Sequence, residues 1–245
     1  MEKSFIDMTI KTYLAEQFFC KVAELEKEQN FFTINSRSEL PYIKIMTYNK
    51  CVVICTSEAL HLKVKEALTD KNRDEIFEFP FIYGQTIHFI PDVKKVQRLP
   101  LPKDYSYELL KGSDIQKLKY IKGFDNSLSF DDNAHTRADI IFLAKKDNEI
   151  IGVAGASAET NSLWEVGVDV KPEYRRGGIG AALVANLTVD IMELGVVPFY
   201  SASVTNIGSQ IVASRSGYMP GWVDTYGNTL DGSSVYNDLI KNLVL

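Results

Sequence analysis

A glycine-rich turn between a strand and a helix constrains this chain more than any other stretch. The turn has the sequence RRGGIG over Arg175–Gly180, and it follows an alternating apolar segment, Trp164–Val170, that we predict to be a strand. The residues after the turn are apolar at helical spacing. Backbone N–H groups and the positive end of the helix dipole converge at such a junction. The sequence therefore predicts an anion site here, most simply for a phosphate.

The glycine spacing alone leaves three kinds of turn open: a dinucleotide site, the phosphate loop of a nucleotide hydrolase, and a tight turn without a ligand. No Gly-Lys-Ser/Thr follows the turn, which argues against a nucleotide hydrolase. The three glycines lack the spacing of a dinucleotide fingerprint, although acidic residues lie downstream. Arg175 and Arg176 place positive charge beside the glycines. That charge suits a ligand with several phosphates, such as coenzyme A.

The segment around the turn resembles the core motif of the GNAT superfamily of N-acetyltransferases, Arg/Gln-x-x-Gly-x-Gly/Ala. Arg175, Gly178 and Gly180 occupy the three specified positions of that motif. The resemblance implies that the anion held by the turn is the pyrophosphate of acetyl-CoA, which serves as the acyl-donor substrate.

A second segment downstream supports the same resemblance. Asn206-x-x-Ser209 followed by Gly217-Tyr218 is similar to the family's Asn…Gly-Phe/Tyr segment, and the separation also agrees. The resemblance covers roughly Tyr105–Tyr226. It implies an α/β (α+β) fold with a GNAT-like mixed, mostly antiparallel sheet flanked by helices.

The chain is long enough for two modest cores, and we predict two domains. Residues 104–245 are expected to form the GNAT-like domain, and residues 1–98 a smaller α/β N-terminal domain whose role the sequence does not indicate. The boundary is marked by the charged run DVKKVQR and then by Pro100 and Pro102, which cannot continue a helix. The arrangement is loosely similar to that of bacterial proteins that carry an extra domain ahead of such a core.

Hydrophobic periodicity predicts the elements on either side of this boundary. The final segment, Val235–Leu245, is also predicted to be helical. Helices are predicted over Ser4–Glu28, Ser57–Leu68, Asn72–Glu78 and Asp114–Lys122, and strands over Phe31–Ile34, Tyr42–Tyr48, Val52–Thr56, Thr86–Ile90, Tyr105–Leu110, Ile140–Lys145 and Ile150–Ser157.

The resemblance implies which groups contact the acyl donor. Backbone groups of Val168 and Val170 would pair with the pantetheine arm, and Asn206 would contact it with Ser209 nearby. The thioester would lie in a V-shaped opening between diverging strands. The amides expected to bind the pyrophosphate belong to Arg175, Arg176, Gly177, Gly178, Ile179 and Gly180.

Transfer to an amine needs a base for the amine proton. Glu165, on the strand before the turn, is the best candidate, because some family members keep a catalytic glutamate there. Gly167 and Asp169 share its strand face, and the glycine is expected to leave room for a ligand. Asp169 is a candidate for holding a cationic substrate, and the alternative for both acids is simple solvation.

The leaving thiolate needs a proton, and the family's usual tyrosine is missing. That tyrosine lies seven residues after the motif asparagine, and here the position is Ala213. The nearest replacements in sequence are Tyr218, Tyr200 and Ser209, and we take Tyr218 as the catalytic candidate. Trp222 is a candidate for the acceptor pocket, with core packing as its alternative.

The leading hypothesis is an N-acetyltransferase that acts on a primary amine, of a small molecule or a peptide, by direct transfer. A non-catalytic acyl-CoA-binding sensor is the first alternative, motivated by Ala213, and a dinucleotide-binding oxidoreductase is the second. The acids near the site favour a cationic amine. The oligomeric state stays open, with a homodimer as one option.

Composition limits the other partners. A formal net charge of −5 argues against a nucleic-acid surface. The sequence contains no run of about 18 apolar residues, so we predict no membrane span. The odd number of cysteines, three, suits a reducing compartment. We therefore expect a cytoplasmic protein. The acids beside His135 match no metal pattern, and no metal is expected.

Overall fold

The computed structural model describes residues 1–39, 41–79 and 82–229 of the chain. Two compact units make up this structure. The first combines Met1–Thr9 with Phe89–Pro220, and the second combines Ile10–His88 with the described residues after Pro220. These units differ from a single division between residues 98 and 104. The reason lies in the second unit, where residues after Pro220 pair with a strand from the N-terminal part of the chain.

The helices and strands follow the predicted order. The helices are α1 Lys3–Gln17, α2 Glu58–Leu68, α3 Arg73–Phe77, α4 Ile179–Glu193 and α5 Ile207–Arg215, with short 3-10 helices at Val22–Glu24, Gly112–Leu118 and Pro172–Tyr174. The strands are β1 Asn30–Ile34, β2 Tyr42–Tyr48, β3 Cys51–Thr56, β4 Thr86–Pro91, β5 Ser106–Lys111, β6 Ala138–Lys146, β7 Glu149–Thr160, β8 Leu163–Val170, β9 Val197–Ser203, β10 Tyr218–Asp224 and β11 Asn228–Thr229.

In the first unit, β5, β6, β7 and β8 are antiparallel neighbours, and β9 joins β8 in parallel. This confirms the expected mixed, mostly antiparallel sheet flanked by helices. α4 packs against β7 and β8. Leu183, Val184 and Leu187 on that helix are fully buried. The helix that follows the glycine turn is thereby held on the sheet by its apolar face.

The pairing of β8 with β9 stops before either strand ends. The last partners are Val166 and Tyr200. β8 continues to Val170 alongside β7, and β9 continues to Ser203. The two parallel strands therefore part beyond Val166, and a space opens between them.

The second unit has its own sheet. β1 is parallel to β3, β3 is antiparallel to β2, and β2 is antiparallel to Trp222–Asp224 and to β11. α2 packs against β1 and β3. The core beneath consists of Ile43, Ile45, Val52, Ile54, Val64, Leu68 and Ile76.

Two predicted helices differ from the structure beyond their capping residues, one in where it ends and the other in its type. α1 ends at Gln17, and Phe19 adopts a positive φ of 54°, which no helix continues through. The apolar stripe beyond it stays buried at Leu25, so periodicity alone overran the end of the helix. The segment predicted as Asp114–Lys122 is the 3-10 helix Gly112–Leu118, whose buried Ile115 and Leu118 lie three residues apart, as a 3-10 turn requires. The helix predicted over Val235–Leu245 lies outside the described residues.

Candidate functional site

A polar pocket of about 350 Å³ opens where β8 and β9 part. Hydroxyl, amide and backbone groups dominate its walls, and Glu165 contributes a carboxylate. The pocket thus brings together polar groups from β7, β8, β9, α5 and the irregular segment before β6. Its lining residues are Asn126, Ser127, Gly155, Ser157, Glu165, Val166, Gly167, Val168, Tyr200, Ser201, Ala202, Ser203, Asn206 and Ser209.

The glycine turn follows the end of β8. Arg176 and Gly178 have positive φ values of 67° and 83°, and Gly178 is the N-cap of α4. The N–H of Ala182 donates to the Gly178 carbonyl at 3.0 Å. The N–H groups ahead of it lie at the helix end and have no partner within the helix. Because the turn is exposed from Arg175 to Gly178, these groups can meet an anion from solvent.

The two arginines of the turn have different roles. Arg175 donates from Nε to the carbonyl oxygen of Val170 at 2.8 Å, which fastens the turn to the end of β8. Arg176 is exposed and forms no ion pair with any residue that the structure describes. Arg176 is therefore the cation available to a bound anion, and Arg175 fixes the geometry.

On the opposite wall, α5 presents its first turn. Asn206 caps this helix, and its Oδ1 accepts from the N–H of Ser209 at 3.1 Å. The Tyr200 hydroxyl donates to Ser209 Oγ at 3.2 Å. Burial raises the pKa of Tyr200, and the hydrogen bond to Ser209 lowers it in part. The net rise keeps this phenol protonated at neutral pH.

Glu165 lies on the pocket wall, as its predicted role requires. It is half-buried and stands opposite Ser157 of β7 in the strand register. No ion pair to Glu165 occurs within the three described ranges. Its carboxylate is consequently open to a partner that enters the pocket.

Asp169 is engaged differently from the expectation that it holds a substrate. One carboxylate oxygen accepts from the N–H groups of Asn126 and Ser127 and from Ser127 Oγ, each at 2.9 Å. The other accepts from Asn126 Nδ2 at 2.6 Å. The alternation of β8 correctly placed Asp169 on this face, but four protein donors already satisfy its oxygens.

The space expected at Gly167 is also filled. A Cβ on Gly167 would lie 2.0 Å from the carbonyl oxygen of Asn126. A Cβ on Gly155, its partner across β7 and β8, would lie 2.0 Å from the carbonyl oxygen of Ser127. These glycines admit the protein's own backbone rather than a ligand.

Tyr218 does not reach the pocket, so its prediction as a catalytic residue is wrong. Its side chain is buried, and its hydroxyl shares a 2.7 Å hydrogen bond with Thr188 Oγ1 of α4. Burial raises the pKa of this phenol well above its usual range. Trp222 belongs to the second unit, where it is buried and stacks on His88 at 4.5 Å, so its packing alternative is the one observed.

Several pocket residues were missed because they are distant in sequence or inconspicuous in type. Asn126 and Ser127 lie in a polar segment without periodicity, and Ser157, Ser201 and Ser203 are ordinary strand serines. One usable signal existed: aligning the hairpin strands would have placed two glycines opposite each other. Such a pair on neighbouring strands is typical of close backbone approach.

No metal centre or membrane helix is found in the part of the chain described here. Residues 1–39, 41–79 and 82–229 contain no group of three or more His, Cys, Asp or Glu side chains placed to hold a metal. Over the same ranges, no helix has the length and apolar character needed to cross a bilayer. His135 Nδ1 lies 3.5 Å from Asp131 Oδ2, with both side chains exposed.

Comparison with protein families gives one match. Residues 107–218 match the model of the Acetyltransferase (GNAT) family. That range begins in β5 and ends at the start of β10, so it contains the pocket and the glycine turn. No curated protein matches the sequence.

Solved structures with similar folds include three bacterial proteins. A GNAT-family acetyltransferase from Novosphingobium aromaticivorans is 19% identical, covers 58% of this chain and 63% of its own, and has a TM-score of 0.43. A GCN5-related N-acetyltransferase-like protein from Streptococcus suis is 14% identical, and the match covers 74% of this chain and 72% of that protein with a TM-score of 0.44. A GNAT-family acetyltransferase from Colwellia psychrerythraea is 9% identical, and the match covers 76% of this chain and 65% of that protein with a TM-score of 0.48. The chain thus spans less than two thirds of two of these proteins.

Proposed function

We propose, from the premise that residues 107–218 belong to the GNAT acetyltransferase family, that this domain moves an acetyl group from acetyl-CoA to a primary amine by direct transfer. One observation carries the proposal. The polar pocket opens where β8 and β9 part, and β8 then leads through the 3-10 helix Pro172–Tyr174 to the exposed glycine turn. An extended ligand with a phosphate group at one end and a reactive group at the other suits this layout.

The acyl donor would lie along the unpaired end of β8. Val168 and Val170 continue the strand past its last contact with β9, so their backbone groups are available on that edge. The Val170 carbonyl already accepts from Arg175, which leaves its N–H and the groups of Val168 as the main partners for the pantetheine arm. Arg176 and the amides up to Gly180 would hold the pyrophosphate.

Glu165 would accept the amine proton as the nitrogen attacks the thioester carbonyl. The carbon–sulfur bond then breaks, and the released thiolate takes up a proton. The half-buried carboxylate is the one charged group among the described residues of the pocket wall, so it also favours an acceptor that arrives as a cation. Such an acceptor would lose its first proton to solvent before the attack.

The Tyr200–Ser209 hydroxyl pair would assist the leaving thiolate. Ala213 is fully buried in α5, so the usual tyrosine position faces the core here. Both Tyr200 and Ser209 line the pocket, and the raised pKa of Tyr200 keeps its hydroxyl a hydrogen-bond donor. Ser209 can pass that hydrogen bond on to the sulfur. The pair keeps its own protons: the thiolate takes its proton from solvent, and Glu165 returns the amine proton to solvent.

The test is to incubate the full chain with acetyl-CoA and each of a panel of primary amines. Turnover is measured as the free thiol of CoA that is released. Glu165→Gln is expected to lower kcat by about 10²-fold or more with CoA affinity unchanged, because a positioned base typically contributes that much. Asp132→Asn is the matched control, because Asp132 is exposed and does not line the pocket. Equal rates for Glu165→Gln and the wild type would show that Glu165 is not the general base.

Ala213 favours a second candidate, an acyl-CoA-binding sensor without turnover. Under that function the chain binds acetyl-CoA tightly, and no amine on the panel releases thiol. Thermal stabilisation by CoA but not by NAD separates both candidates from a dinucleotide-binding oxidoreductase, because a ligand that binds only the folded state stabilises it, and does so more as its concentration exceeds its dissociation constant. Stabilisation by NAD alone would overturn the acyl-CoA assignment.

A further inference from the structure

The Asn126–Ser127 segment is fixed to the sheet from two sides. Phe124 and Leu128, which flank it, are buried in the core formed with β6 and β7. Between these anchors, the Asp169 carboxylate accepts hydrogen bonds from both backbone N–H groups, the Ser127 hydroxyl and the Asn126 side-chain amide. Hydrogen bonds to a carboxylate are stronger than bonds between neutral groups, so this contact outweighs an ordinary loop attachment.

The segment lies directly on the sheet because two glycines allow it. The carbonyl oxygens of Asn126 and Ser127 occupy the places that Cβ atoms on Gly167 and Gly155 would take. The two glycines are partners in the β7–β8 register. A side chain at either position would lift the backbone away from the sheet.

The held segment and the two glycines border the pocket. Asn126, Ser127, Gly155 and Gly167 line it together, beside Val168. On this side the pocket is bounded by a segment whose backbone and side chains are both hydrogen-bonded to Asp169. The segment therefore resists displacement by a ligand, and the pocket keeps its depth.

We propose that Asp169 is a positioning residue that fixes Asn126–Ser127 as the wall limiting the length of the acyl group. The inference rests on the proposed function, since it takes the thioester to lie in this pocket. A short acyl group fits against the fixed wall, and a longer chain requires the space that the Asn126–Ser127 backbone occupies. Asp169 does not contact the substrate in this arrangement and acts through the segment it holds.

Binding selectivity of the full chain tests the proposal without depending on turnover. The measurement is the dissociation constant of acetyl-CoA and of hexanoyl-CoA by calorimetry. We expect Asp169→Ala to shift the ratio of these constants toward hexanoyl-CoA by about tenfold or more, because each added methylene is worth a severalfold change where space permits. Free CoA, which lacks the acyl group, should keep its affinity.

Two further variants control for folding and for charge. Asp169→Asn keeps an oxygen for the two backbone N–H groups, and the Asn126 amide can rotate to meet the new amide, so its ratio is expected to lie between those of the wild type and Asp169→Ala. Asp132→Asn removes an exposed acid and should leave the ratio unchanged. Amide exchange at Asn126 and Ser127 should accelerate in Asp169→Ala.

The outcomes separate this inference from the function beneath it. If the wild type binds no CoA thioester, the proposed function fails. If it binds acetyl-CoA and Asp169→Ala accelerates exchange with an unchanged ratio, Asp169 is an anchor for stability alone and the inference is wrong. Unaltered exchange would overturn it as well, and should Asp169→Ala not fold, the ratio in Asp169→Asn decides.

Discussion

Glycines serve opposite physical purposes in two neighbouring regions of the first unit. In the turn before α4, Gly178 has a φ of 83° and nothing within 4 Å of a Cβ position, so the residue is needed for its conformation. In the strand pair, Gly155 and Gly167 have ordinary strand conformations, and the Cβ positions are occupied by carbonyl oxygens. A glycine can therefore be required either for its backbone conformation or for its lack of a side chain. Only in the first case is the space beside the glycine open.

Substitution of the strand pair should have the largest effect on stability. Gly167→Ala places a Cβ 2.0 Å from the Asn126 carbonyl oxygen, in a segment that Asp169 and two buried side chains hold in place. We expect the free energy of unfolding to fall by about 3 kcal/mol, the upper end of the usual cost of overpacking, because backbone has to move. Urea denaturation of the full chain measures the change.

Gly208→Ala supplies the control for that experiment. Gly208 lies in α5, and the nearest atom to its Cβ position is 3.7 Å away. Alanine there should leave the free energy of unfolding unchanged or raise it by at most about 0.5–1 kcal/mol, the gain that helix propensity gives in a helix interior. A loss for Gly167→Ala no larger than 0.5 kcal/mol, on the order of a surface change, would contradict the occupied-space account of the strand pair.

The turn should respond less, and to conformation rather than to volume. Gly178→Ala is expected to cost about 1 kcal/mol, the penalty for a left-handed residue with a Cβ. Gly178→Asn should cost less than Gly178→Ala despite its greater size, because asparagine tolerates this conformation. Denaturation midpoints of the two variants check the order, and a larger loss for asparagine would show that space limits the turn after all.

Gly177 should give the smallest stability change and so sharpens the contrast. Its Cβ position has a single neighbour, the Tyr174 carbonyl at 3.8 Å, and its φ lies outside the left-handed region. We expect Gly177→Ala to alter the free energy of unfolding by less than about 0.5 kcal/mol. If the turn binds pyrophosphate, CoA affinity should nevertheless fall, because the added methyl group obstructs the approach of the phosphate. Unchanged affinity, measured by calorimetry, would argue against that approach.

The same contrast explains what could be predicted from the sequence. The turn and α4 are local: the glycines, the arginines and the apolar spacing of the helix lie within one short stretch, and the structure has them where they were expected. Strand alternation likewise placed Glu165 and Asp169 on one face, and Glu165 does line the pocket.

The contacts that give these residues their roles are not local. Asp169 meets Asn126 and Ser127 across 43 and 42 positions of the chain, and no periodicity in the polar segment indicates that pairing. Tyr218 was chosen because it lies close in sequence to the missing tyrosine at Ala213, and nearness in sequence carries no information about the direction of a side chain. Packing against Thr188 determines that direction.

The way the chain returns to its second unit has a consequence for synthesis on the ribosome. β2 is made early, yet the strand that covers one of its edges, Trp222–Asp224, is made only after the whole of the region that contains the pocket. Until then that edge presents free backbone donors and acceptors, the kind of surface on which nascent chains aggregate. Completion of the second unit is therefore a late event in biogenesis, and a fragment that stops at Pro220 would leave the edge permanently open.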